Sequence, residues 1–364
     1  MSMSPNSSPM PSLKPCRPSA TRTTLLAFPV LILALIIAGA IFTGQVRAQK
    51  SMADIASVDR ALAGNAPAYH ALLEGRVEDA ATLLRANLAA NPADAIAHQL
   101  LCRVFYAQNA ADEAIHQCEL AVSSPAANNE QASDAYLWLG RAYGMKARHA
   151  GPIAGFALAR KVKSSFARAV ELNPSSVSAL NDLGEYYVAA PFIVGGGNDK
   201  AHALAARMMP RFPGAAHRLL ARMADADNNL GSAESEFKQA IAVQKSPEAW
   251  IDLAQFYQTH ARPDDALSAI RSGLAADRTH GPVLVDAASL LTATHRDPGL
   301  AERCLRDYLA SRAKSDAAPA FKVHLQLSRL LAARGDTREA SREVEAAAAL
   351  APTFRRSTRQ VQGL

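Results

Sequence analysis

Residues Ser246–Asp277 read SPEAWIDLAQFYQTHARPDDALSAIRSGLAAD. Trp250, Leu253, Ala254 and Tyr257 fall three and four residues apart, the spacing of one face of a helix. Ala266, Ile270 and Gly273 repeat that spacing on a second helix. Small residues let two such helices touch, large ones fill the groove against the next pair, and a proline ends the second helix. The arrangement returns with a period of about 34 residues. It begins at Gly75, Ala80, Leu84 and Pro92, then at Leu101, Cys102, Phe105, Ala114, Cys118 and Ala121. Leu139, Gly140 and Tyr143 pair with Phe166, Ala169 and Pro174, and Leu183, Gly184 and Tyr187 with Ala201 and Pro213. Two weaker copies surround Leu220, Ala233, Phe237 and Ala240, and Ala288, Ala301 and Leu305. The last copy holds Leu327, Ser328, Leu331, Gly335, Ala340, Val344, Ala347 and Pro352.

On these residues the chain resembles tetratricopeptide-repeat (TPR) proteins of the exported bacterial type. The resemblance implies an all-α fold, a right-handed superhelical TPR solenoid of about eight helix pairs over residues 65–352. No pair buries its apolar face alone, so the copies must stack. Composition agrees: 49% of residues are apolar and only 6% aromatic. Alanine-rich runs such as EVEAAAALAP favour closely packed helices, and no alternating Val/Ile/Thr run marks a strand.

Two copies are interrupted. MKARHAGPIAGFALARKVKS separates the halves of the third, with Gly151-Pro152 as a breaker, and APFIVGGG separates those of the fourth. Insertions are therefore expected near 147–157 and 190–197. Both fall at the turn inside a pair, so they emerge on one edge of the solenoid, as a local lip or a bend.

Residues 25–42, LLAFPVLILALIIAGAIF, follow a basic Ser/Pro-rich stretch. Val46 and Ala48 give a small-residue export site with cleavage after Ala48. The run is also long enough to span a bilayer, so retention as an N-terminal anchor is the alternative. Either way the chain is expected outside the cytoplasm: periplasmic, or held at the inner membrane by residues 25–42. Residues 49–64 read as a linker and 353–364 as a basic tail. Of the 39 Lys and Arg, four lie in residues 1–48, leaving 35 against 33 Asp and Glu. A nearly neutral body lacks the basic footprint of a nucleic-acid binder.

Gly195-Gly196-Gly197 lacks the spaced glycines and Lys-Ser/Thr pair of a phosphate loop and reads as a turn opening a helix at Asn198 or Asp199. The ten histidines form no HExxH or CxxCH motif. His98, Cys102 and Cys118 cluster, and His116 points off their face, so a metal would lack its fourth ligand. For Cys102 and Cys118 we place core packing first, a disulfide second and metal last. Cys304 fills another core-like slot and Cys16 lies in the leader. No catalytic residue, cofactor site or metal site is assigned.

In a TPR array the residue after the small first-helix slot faces the concave groove. Here those residues are Arg103, Arg141, Glu185, Arg222, Gln255, Ser289 and Arg329, with Asn181 and Arg218 one turn before Glu185 and Arg222. Two readings stand: the arginines grip a peptide bearing acidic groups or a free carboxylate, or they merely solvate the helices and pair with acids such as Glu185 and Asp225. The resulting expectation is a non-catalytic protein-interaction scaffold of the bacterial envelope. A membrane-anchored assembly factor is the alternative, and an enzyme comes third.

Overall fold

A computed structural model describes residues 62–354 of the 364. The leader, the cleavage site after Ala48, the apolar run 25–42, the linker up to residue 61 and the tail from residue 355 lie outside the described residues. Among the described residues no helix is long and apolar enough to cross a membrane.

Among the described residues sixteen α-helices form eight antiparallel pairs, joined by short turns. The first four pairs are α1 (Ala66–Leu73) with α2 (Val77–Ala90), α3 (Ala95–Ala107) with α4 (Ala111–Ser123), α5 (Asn129–Ala147) with α6 (Pro152–Leu172), and α7 (Val177–Ala189) with α8 (Asn198–Met208). The other four are α9 (Pro213–Ala226) with α10 (Leu230–Gln244), α11 (Pro247–Thr259) with α12 (Pro263–Ala276), α13 (Val283–Ala293) with α14 (Pro298–Ala310), and α15 (Ala320–Ala333) with α16 (Thr337–Leu350). No strand occurs among the described residues. Local chemistry sets the boundaries. Pro152, Pro213, Pro247, Pro263 and Pro298 open helices, where a missing N–H costs nothing. Asp94, Asn128, Ser176, Asn229, Ser246 and Asp297 cap helix starts by accepting from backbone N–H groups.

The small slots bring helices into contact, within a pair at Gly140 and between neighbouring pairs at Gly184. A Cβ on Gly140 would lie 2.4 Å from Phe166 Cε1, and one on Gly184 2.9 Å from Leu219. Glycine there lets a ring or a leucine fill the space against the backbone. Hydroxyls add ties, Ser133 Oγ donating to Ala169 O and Ser328 Oγ to Ala340 O, both at 2.8 Å.

The extra residues of the third pair mostly lengthen its helices. α5 has 19 residues and α6 has 21, against 13 each for α3 and α4. The Ala/Lys/Arg-rich insert is helix-forming, so only residues 148–151 remain as the turn. In the fourth pair Phe192–Val194 is a 3-10 turn, tied by Tyr186 Oη donating to Val194 O at 2.8 Å.

The solenoid also closes on itself, which the repeat alone does not dictate. The chain entering α15 and the residues after α16 sit on the inner turns of the first two pairs. Gly75, at φ 81°, turns between α1 and α2, and a Cβ on it would lie 2.8 Å from Ala320 N. Thr353 N donates to Glu78 Oε1 at 3.0 Å, and Lys322 Nζ to Asn109 Oδ1 at 2.9 Å. Phe321 and Phe354 meet edge to face at 4.9 Å and share one core with Leu72, Leu84 and Leu100.

Candidate functional site: the wall of first helices

Helices α5, α7, α9, α11 and α13 stand side by side and line a cavity of about 410 Å³. Arg141, Asn181, Glu185 and Arg218 all face it, with Asp182, Glu248, Asp252 and Asp286. Two arginines thus meet five carboxylates.

The arginines are occupied. Arg141 Nε donates to Asp182 at 2.7 Å. Arg218 Nε donates to Asp252 at 2.9 Å while its Nη1 lies 2.9 Å from Glu185, which also accepts from Arg222 Nε at 3.3 Å. Most of these acids lie on the next first helix, so each bond ties neighbouring pairs. Arg103 is the most enclosed. Its Nε donates to Asp316 Oδ2 at 2.7 Å, and its guanidinium lies 5.3 Å from the Tyr69 ring centre and 5.0 Å from that of Trp138. Arg141 covers Trp138 as well, at 4.8 Å. Arg103 therefore seals the closure between the second and last pairs rather than facing open groove. Gln255 bonds Gln258 and Thr259, and Ser289 Oγ accepts from Gln326 Nε2 at 3.0 Å. Arg329 is exposed and makes no ion pair among the described residues. The positive row is therefore largely neutralised: of its arginines only Arg329 lacks a carboxylate partner among the described residues.

What remains unmet in the cavity is mostly acidic. Glu248 and Asp286 make no hydrogen bond or ion pair among the described residues, and the buried Asn181 Oδ1 has no partner. Asp286 opens to the groove but is crowded by protein on its other sides. That desolvation first, then the Asp252 and Glu248 charges, raises its carboxyl to about 6.

Cys102 and Cys118 are joined by a disulfide between α3 and α4, their Cα atoms 5.3 Å apart. Both are fully buried, so the bond also fills the pair's core. His98 bonds Gln117 at 2.8 Å and Pro92 O at 3.0 Å, with no metal-ligand cluster among the described residues. The histidines follow a register the motif search overlooked. His98–Gln117, His217–Glu236 and His324–Glu343 each join first to second helix across 19 positions. Aligning the copies would have exposed it. A second hollow of about 360 Å³ lies between α10, α11 and α12, lined by Ile241, Trp250 and Leu253. Its charges are already paired, Lys238 with Glu234 and Asp265 with Arg262.

No family model and no curated protein matches the chain. Among solved structures it is similar to a thermophilic TPR protein of Thermus thermophilus, at 23% identity over 60% of this chain and 92% of that one, with a TM-score of 0.39. Yeast Tom70 is similar at 16% identity over 79% of this chain and 57% of that one, with a TM-score of 0.45. A tetratricopeptide repeat protein of Parabacteroides merdae shares 14% identity over 73% of this chain and 99% of that one, with a TM-score of 0.41. By its own period and by the packing of its small slots, the described chain is a tetratricopeptide-repeat solenoid.

Proposed function

We propose that the protein is a non-catalytic scaffold that holds an extended, base-carrying segment of a partner protein against the wall of first helices. The observation that carries this reading is the pair of unmet carboxylates in the cavity, Asp286 and Glu248, among arginines already satisfied. A lysine or arginine of the partner would relieve the repulsion around Asp286. The arginine–carboxylate pairs then keep the wall rigid. An acidic partner is the second reading and rests on Arg329, the unpaired arginine at the far end of the wall.

We place the scaffold in an exported compartment. The leader pattern and the Cys102–Cys118 bond support this, since disulfides persist in oxidising surroundings. If residues 25–42 are retained, the same scaffold works from the membrane surface.

Selection of a random peptide library on the protein tests the groove. Enriched peptides should carry Lys or Arg, lose binding to Asp286→Lys, and bind more weakly at high salt and at pH 5, where Asp286 is protonated. Acidic peptides that ignore Asp286→Lys would reject it.

A further inference from the structure

The largest apolar exposure among the described residues gathers on the edge built by the two insertions. Ile153 in the first turn of α6 is 91% exposed, and Phe192 and Ile193 in the neighbouring 3-10 turn are 81% and 72% exposed. Both segments belong to one side of the fold, since α6, whose first turn holds Ile153, packs farther along its length on the second segment: the Lys163 methylenes lie 3.8 Å from where a Gly195 Cβ would stand. Charge is equally one-sided. From Ala135 to Val170 the sequence has seven Lys and Arg and no Asp or Glu. Of these, Arg148, Arg160 and Lys163 make no ion pair among the described residues. Lys200, beside Phe192, bonds only backbone carbonyls at Gly195 and Gly196. The second segment, residues 190–197, has no Asp or Glu, and Asp199 lies just beyond it.

Apolar knobs projecting from segments that also carry free cations match a surface that is oily beneath a plane of negative charge. We propose that this edge docks the protein onto an anionic phospholipid bilayer, with Ile153, Phe192 and Ile193 entering the interface. Arg148, Arg160 and Lys163 then reach lipid phosphates. A protein partner would have to offer separate pockets to knobs on two segments and an acid for each cation, whereas a membrane supplies both without shaping. This edge is distinct from the groove, so either proposal stands if the other fails.

Hydrogen exchange on the full chain tests it, with vesicles of phosphatidylglycerol and phosphatidylcholine against phosphatidylcholine alone. The neutral vesicles control for any tethering by residues 25–42. With lipid at about ten times the apparent Kd, amides of residues 148–157 and 190–197 should slow about tenfold on anionic vesicles only. Ile153→Ser/Phe192→Ser/Ile193→Ser and, separately, Arg160→Glu/Lys163→Glu should abolish that slowing. These side chains are largely solvent-facing, so melting should hold. Equal slowing on neutral vesicles, slowing that survives both variants, or slowing by a protein fraction with none on vesicles would overturn the proposal.

Discussion

Replacing Arg103 by methionine separates a residue that binds a partner from one that holds the solenoid shut. The Arg103 and Asp316 side chains are 12% and 9% exposed, with Nε and Oδ2 2.7 Å apart. Methionine keeps much of the volume but strands the carboxylate. Losing one partner of a buried ion pair costs about 3–5 kcal/mol, and the lost contacts with Tyr69 and Trp138 add roughly 1 kcal/mol. The loss falls on the closure between the second and last pairs, because each remaining pair packs on its neighbours. Small-angle scattering should show an expanded molecule, and hydrogen exchange should quicken at residues 73–77 and 312–320 while α7–α12 stay protected. Arg103→Met/Asp316→Leu removes both charges and should restore the closed form to within about 1–2 kcal/mol. Unchanged scattering and exchange in the single variant would refute the reasoning and return Arg103 to the groove.

Asp286→Asn should raise the melting temperature at pH 7, because the folded state holds that carboxyl at about 6, above its ordinary 3.8. The sign follows from proton uptake: the folded parent binds the proton first, so its stability relative to the variant should rise as pH falls from about 6 towards 4. A parent-minus-variant difference independent of pH would contradict it. Gly140→Ala gains about 1 kcal/mol of helix propensity but drives a Cβ to 2.4 Å from Phe166, an overpacking of roughly 1–3 kcal/mol. Chemical denaturation should show a net loss, relieved by Phe166→Leu, whereas Gly231→Ala, with nothing within 4 Å, should stabilise. Reducing the Cys102–Cys118 bond, which spans 16 positions, should lower stability by about 3 kcal/mol on the chain-entropy account; identical denaturation curves with and without reductant would argue against it.

The pair architecture is legible in sequence because its causes are local and recur. Gly140 and Gly184 sit where a side chain would collide, and the large residues fall at fixed offsets from them. The closure leaves no such trace. Arg103 and Asp316 stand 213 positions apart, and no period links them. The groove residues are partly legible: their helix face follows from the repeat, so Arg141, Asn181, Glu185 and Arg218 do share one cavity. Its sign does not, because charge depends on what lies one repeat onward. Asp182 stands 41 positions after Arg141 and Asp252 34 after Arg218, within reach only once the pairs are stacked. Counting arginines along one face misses these partners. The inserts misled in a milder way, since Gly151-Pro152 marks a turn of four residues while helix-forming sequence on either side simply extends α5 and α6.

Photo-cross-linking tests the groove most directly. A benzophenone side chain in place of Ser178, exposed in the cavity, should capture the selected basic peptide, and one in place of Gln239, exposed on the second helix α10, should not. Adducts at Gln239 with none at Ser178 would contradict the account.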